Sequence, residues 1–144
     1  PQSIIDQIKS TDEDAGYRRT NEILKEFIKC FLENEKKKGN IVIYGAGHLS
    51  CAFISYLELD TCINYMIDDN LNKQGLFMPK SRIPIVSSEW LSHNQVSTVL
   101  LAVNPMWDKK MISGLRKVVQ NTTHIGSICP ISEYFLFYDP ILPI

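Results

Sequence analysis

Apolar residues fall at Ile23, Leu24, Phe27, Ile28, Phe31 and Leu32, a spacing that predicts one face of a helix running from Tyr17 to Lys38. Lys36, Lys37 and Lys38 lie in its last turn, where the helix dipole favours cations, and Gly39 supplies the stop. The lysine run reads as a solvated helix end. The pattern then changes. Ile41-Val42-Ile43-Tyr44 is a short β-branched run ending in glycine, which predicts a buried strand. Gly45-Ala46-Gly47 turns the chain, and Leu49 to Leu59 reads as a helix packing through Ala52, Phe53, Tyr56 and Leu57. Cys62 to Ile67 is a second strand, running into Asp68-Asp69-Asn70 and a loop rich in turn residues. Ile83-Pro84-Ile85 is a brief extended piece whose proline suits a sheet edge or a loop. Ser87 or Ser88 is placed to cap a short helix through Trp90 and Leu91. Val96 to Val103 is the strongest strand, and Pro105 opens a helix to about Val119. His124 to Cys129 is a last strand, ended by Pro130. The aromatic tail, Tyr134 to Tyr138, is expected to pack back on the core or to meet another domain or subunit.

Strands alternating with helices imply a parallel sheet covered on both faces. The expected architecture is α/β: a three-layer Rossmann-like domain with a mostly parallel sheet and an N-terminal helix. Residues 1–39 form an arm and helix, and residues 40–144 the Rossmann-like unit. The polar first 16 residues, with Asp12, Glu13 and Asp14, read as an arm or a short helix. Right-handed crossovers place a ligand outside the carboxyl ends of the strands.

Composition narrows the function classes. A chain of 144 residues is about one domain, and a net charge of -1 provides no field for nucleic acid. Cys30, Cys51, Cys62 and Cys129 form no CxxC pair and match no zinc spacing, so they read as free, mostly buried thiols in a reducing, cytoplasmic setting. No stretch reaches the roughly 18 apolar residues that span a bilayer, and no leader is expected. Pro1 in place of Met makes the chain read as one domain of something longer.

The chemistry concentrates at Gly45-Ala46-Gly47-His48-Leu49-Ser50, between a predicted strand and a predicted helix. Gly45 permits a tight turn, and Gly47 lets a phosphate approach the backbone. The helix opening at His48 points its first N–H groups at that phosphate, so the hinge is expected to leave bare amides facing an anion. Ser50 stands where a third glycine is usual and is small enough for close helix–strand packing. Asp68 and Asp69 follow 21 and 22 residues after Gly47, where an acid accepts ribose hydroxyls; capping of the next turn is the competing role. His48 is placed to donate to a phosphate or to act as an acid or base. Asn104 follows the strong strand on the same rim, as a ligand contact or as a cap for the next helix. His93 and His124 have no partner at ligand spacing. No Ser-His-Asp order, carboxylate pair or metal cluster stands out, so no catalytic residue is assigned.

The stretch Ile41 to Met111 resembles the C-terminal domain of S-adenosylmethionine-dependent sugar C-methyltransferases, over about half of the chain. Its most specific part is D-D-N-L-N-K-Q-G followed by P-K-S-R-I-P-I. Asp68, Asn70, Lys73, Gln74, Gly75, Pro79, Ile83, Pro84 and Ile85 match that family's pattern. Leu100 to Asn104 looks like its strand ending in asparagine. The resemblance implies a Rossmann-like domain that helps to hold a nucleotide-sugar, while S-adenosylmethionine binds a separate domain. That role would fall on Gly45–Gly47 and the Asp68–Gly75 loop, with Lys73 as a partner for an anion. Three departures stand out. Gly47, Leu49 and Ser50 replace the family's proline, basic and small residues; Lys80 replaces a glycine; Val103 replaces a tryptophan.

Gly-Ala-Gly also resembles the N-terminal domains of sugar acyltransferases and the NAD(P)-binding domains of nucleotide-sugar dehydrogenases. A dinucleotide reading with NAD therefore stands as the alternative. A self-contained methyltransferase is weakened by Ile43, which stands where the methyl-donor turn has an acid. A degenerate domain used only for assembly, with the aromatic tail as its interface, is a further reading, and a homodimer stands among the expected partners.

Overall fold

A computed structural model describes residues 13–137. The first helix, α1, is Glu13–Lys36, one turn longer at its start than the apolar pattern implies. Then come β1 (Asn40–Tyr44), α2 (His48–Leu57), β2 (Tyr65–Ile67), β3 (Ile85–Val86), the single-turn α3 (Trp90–His93) and β4 (Val96–Leu101). A 3₁₀ turn, Pro105–Trp107, leads into α4 (Asp108–Leu115), and β5 is His124–Ser127. The arm before Glu13 and the tail from Tyr138 lie outside the described residues.

The five strands form one sheet in the order β3-β2-β1-β4-β5, every pair parallel. This is the α/β Rossmann-like arrangement. Buried strands alternate their contacts between two cores. Ile41, Ile43, Met66 and Leu100 pack with Ile28 and Leu32 of α1 and Ile54 and Leu57 of α2. Val42, Ile67, Val99 and Leu101 pack with Leu91 and Leu115 on the α3–α4 side. All six residues of β4 are buried, Ser97 and Thr98 among them, as expected of a central strand covered on both faces.

The connections after β1 and β4 leave toward opposite faces. The carboxyl end of β1 beside β4 is thus the switch point where α/β domains open a crevice.

Several elements differ from the sequence pattern. On α2 the buried face is Ser50, Ile54 and Leu57, whereas Tyr56 is 62% exposed and Ala52 also faces solvent. α2 stops at Leu57 because Glu58 turns left-handed at φ 54. Cys62 and Ile63 are buried in a turn before β2 instead of extending it. No side chain caps α3; the backbone carbonyls of Ser87 and Ser88 accept from Trp90 and Leu91 instead. Only Cys62 of the four free cysteines is buried, while Cys30 is exposed. Pro84 does sit by the edge strand, in an antiparallel bridge with Phe77.

The tail folds back. Ser127 donates to the carbonyl of Tyr134 at 2.8 Å and accepts from Leu136 at 3.0 Å, which lays residues 134–136 along β5. Phe137 is buried in the core beside Phe31 and Phe53. Gly126 makes room for this: a Cβ there would meet Leu136 at 2.7 Å.

Candidate functional site

β1 ends at Tyr44, and the chain leaves the sheet through Gly45 at φ +111. A Cβ on Gly45 would lie 2.6 Å from the carbonyl oxygen of Ala102, just beyond β4. Backbone conformation and close approach both require glycine here. Gly47 is different. Its backbone is extended, at φ -134, and nothing lies within 4 Å of where a Cβ would be. Open space faces the start of α2.

The expectation of bare hinge amides fails at three positions. Gly45 donates to the carbonyl of Ile67 at 2.8 Å, Ala46 to Asp68 Oδ2 at 2.9 Å, and Gly47 to Ser50 Oγ at 3.1 Å. The cause is the neighbouring strand: β2 pairs with β1, so its end delivers a carbonyl and a carboxylate beside the turn. The donors left facing solvent are those of the exposed His48 and Leu49, which open α2 without a side-chain cap. Ser50 is fully buried, and its Oγ also donates to the carbonyl of Gly47 at 2.9 Å. It fills the third-glycine place as a brace of the turn.

Of the two aspartates, Asp68 faces the turn. Besides Ala46, it accepts from the Asn70 amide at 2.9 Å, so it also caps the following turn. Lys73 reaches back with Nζ, donating to the carbonyl of Ala46 at 2.8 Å and lying 3.6 Å from Asp68 Oδ2. The rest of the motif builds the same loop. Asn70 accepts from the Asn72 amide, Gln74 donates to the carbonyl of Asp68, and Gly75 bends at φ +82. Lys80, where the resemblance has glycine, is left-handed at φ 68.

Asp69 turns to the α3–α4 side. It accepts from the Tyr44 hydroxyl and, at 3.1 Å, from the Ser88 amide. Burial and the Asp69 carboxylate push the Tyr44 phenol up to about 12. Burial alone would raise Asp69, but the hydrogen bonds from Tyr44 and Ser88 outweigh it and hold the carboxyl below its ordinary value.

His48 is exposed in the first turn of α2, beside the open space. Asn104 accepts from the Met106 amide at 3.1 Å and so caps the 3₁₀ turn. The structure therefore gathers Gly45, Ala46, Gly47, Ser50, Asp68 and Lys73 around one turn, Ala46 bonded to Asp68 and Lys73 and Gly47 to Ser50. It sends Asp69 elsewhere and gives Asn104 a local duty.

Sequence reasoning missed the Tyr44–Asp69 pair, though a tyrosine immediately before the glycine turn was a signal. It also missed His124, whose Nε2 lies 3.6 Å from buried Glu35 of α1; no local pattern links those two. Among the described residues, no three His, Cys, Asp or Glu side chains gather to hold a metal, and no helix is long and apolar enough to cross a membrane.

The model of the C-methyltransferase C-terminal domain family matches residues 7–130. A search of curated proteins returned no match.

Proposed function

This chain belongs to the C-methyltransferase C-terminal domain family, and from that premise we propose that it holds a nucleotide-sugar while a separate domain binds the methyl donor. The diphosphate rests on the amides of His48 and Leu49 at the head of α2, and the His48 side chain flanks it. Lys73 sits at the rear of the turn, where its charge adds to the helix dipole. Ala46 and Gly47 contribute shape. S-adenosylmethionine is left to that separate domain. The work of this domain is to position the sugar, and methyl transfer belongs to its partner.

The observation that carries this reading is the open space over Gly47 at the switch point of the sheet. That residue needs no glycine for its own backbone or packing, yet its missing side chain clears the way to the first turn of α2. The NAD alternative draws no comparable support. Asp68, the acid facing the turn, already serves Ala46, Asn70 and Lys73, which leaves it poorly free to receive ribose hydroxyls.

The test is Gly47→Asp. Aspartate is a favoured N-cap and complements the helix dipole, so the fold keeps or gains stability, by up to about 1 kcal/mol. The same carboxylate repels a phosphate. UDP- and dTDP-sugars at a hundred times their dissociation constant should add about 2.7 kcal/mol of stability to the unaltered protein. That thermal shift should vanish in the variant. A shift that persists in Gly47→Asp, or one produced by NAD(H) alone, overturns the reading.

A further inference from the structure

A groove of about 500 Å³ opens on the α3–α4 side of the sheet and begins at Tyr44, one residue before the glycine turn. It exists because α3 is a single turn and leaves part of that face uncovered. Tyr44 and Ser88 form its polar end, Met111 and Gly114 line its wall, and Trp107 and Lys110 stand among its outer residues. Resting on the nucleotide reading above, we infer that this groove takes the nucleobase of the nucleotide whose phosphates lie at the head of α2.

Three observations point to a flat heterocycle. Trp107 is 50% exposed, with the Lys110 ammonium 5.8 Å from its ring centre. A half-open indole beside a groove is a stacking platform for a base. Gly114 lies in the last turn of α4, where glycine costs up to about 1 kcal/mol relative to alanine. Its φ is not positive and nothing lies within 4 Å of a Cβ built on it. Neither backbone nor packing demands glycine there, and what its bareness leaves is width in the groove.

The third observation is the polar end. The Tyr44 hydroxyl gives its proton to Asp69 with the Ser88 side chain beside it, so this end offers a phenol oxygen and a serine hydroxyl that donates or accepts. One edge of the occupant must therefore be polar, and the remainder meets Leu91, Met111 and Leu115. A base with an N–H on its edge satisfies both demands. A hexose, ringed with hydroxyls, would leave several of them against aliphatic carbon without partners.

The location fits as well. Tyr44 and Gly45 are consecutive, so the groove and the head of α2 lie on either side of the carboxyl end of β1. A nucleotide straddles that edge, base on one side and phosphates on the other.

The test titrates UDP, dTDP, ADP and inorganic pyrophosphate against the unaltered protein, Trp107→Ala, Gly114→Leu and Gly47→Asp, by calorimetry. Gly114→Leu fills the groove with a better helix former, so the fold survives it. Trp107→Ala and Gly114→Leu should each weaken the nucleotides about tenfold or more and leave pyrophosphate unchanged, while Gly47→Asp abolishes both kinds of binding. Nucleotide affinity unchanged in Trp107→Ala and Gly114→Leu overturns the groove and spares the phosphate site. Loss in those two variants with none in Gly47→Asp overturns the phosphate site and keeps the groove. Nucleotides that bind the unaltered protein no tighter than pyrophosphate overturn the base. Binding of none overturns both.

Discussion

Lys73 donates its ammonium to the carbonyl oxygen of Ala46 at 2.8 Å, across 27 positions of sequence. One end of that bond is the glycine turn and the other is the D-x-N-x-x-K-Q-G loop. The motif that carries the family likeness is therefore also what clamps the turn shut from behind.

The clamp has a hierarchy. Asp68 holds the Ala46 and Asn70 amides, and its side chain is 16% exposed against 40% for Lys73. Asp68→Ala leaves both donors without their acceptor and should cost about 1–3 kcal/mol. Lys73→Met removes one charge-assisted bond from a partly solvated place and should cost about 1 kcal/mol or less. Urea midpoints rank the two; a larger loss for Lys73→Met contradicts the hierarchy.

Gly45 is required where it stands, and Lys80 stands where glycine would carry less strain. Gly45→Ala forces φ +111 on a residue whose Cβ meets Ala102 at 2.6 Å, so it should lose about 3 kcal/mol or more. Lys80→Gly relieves a left-handed residue at φ 68 and should gain about 0.5–1 kcal/mol. Thermal melting reads both. A destabilised Lys80→Gly would mean that its side chain holds the loop in some way that outweighs the strain.

Tyr44 makes stability depend on alkaline pH. Its proton is held to about 12 in the folded protein, against 10.0 as the unfolded reference. The unfolded chain gives up that proton first, so this stabilisation is complete below pH 10.0 and is lost as pH rises through about 12. Asp69 acts at the other end: its lowered pKa stabilises above 3.8 and the gain is lost as pH falls through the folded value. Tyr44→Phe should be less stable than the unaltered protein near neutrality, with the gap closing above pH 10.0. A gap of constant size from neutral to strongly alkaline pH refutes the pairing.

The segment after β5 is tied to α4 through a buried acid. Ser132 Oγ donates to Asp108 Oδ2 at 2.5 Å; Asp108 is fully buried, and its Oδ1 has no partner among the described residues. Ser132→Ala deprives the carboxylate of that bond and should cost about 1–3 kcal/mol. Hydrogen exchange should show β5 and the tail loosening first, since Ser127 pairs with the Tyr134–Leu136 backbone.

Much of the fold was readable because its signals are local. The three- and four-residue spacing marked α1, the β-branched run marked β1, and glycine after it marked the turn. Pro84 suited a sheet edge or a loop, and β3, which starts at the next residue, is an edge strand; Val96 to Val103 read as the strongest strand, and β4 is a central one. The face of α2 was misjudged because Tyr56 and Ile54 are both apolar by composition. Only the way the helix docks on the sheet decides that Ile54 goes inside and Tyr56 stays out.

The sequence alone determined the order of strands and helices, the parallel α/β class, the position of the glycine turn and the family likeness, since each rests on residues near one another along the chain. The tertiary structure alone decided that Asp68 and not Asp69 faces the turn, that the amides of Gly45, Ala46 and Gly47 are already taken, and that a groove opens beside Trp107. Those outcomes depend on hydrogen bonds and gaps between elements that β-sheet pairing brings together. A carboxylate 22 positions away can be the nearest acceptor, and only the folded backbone says so.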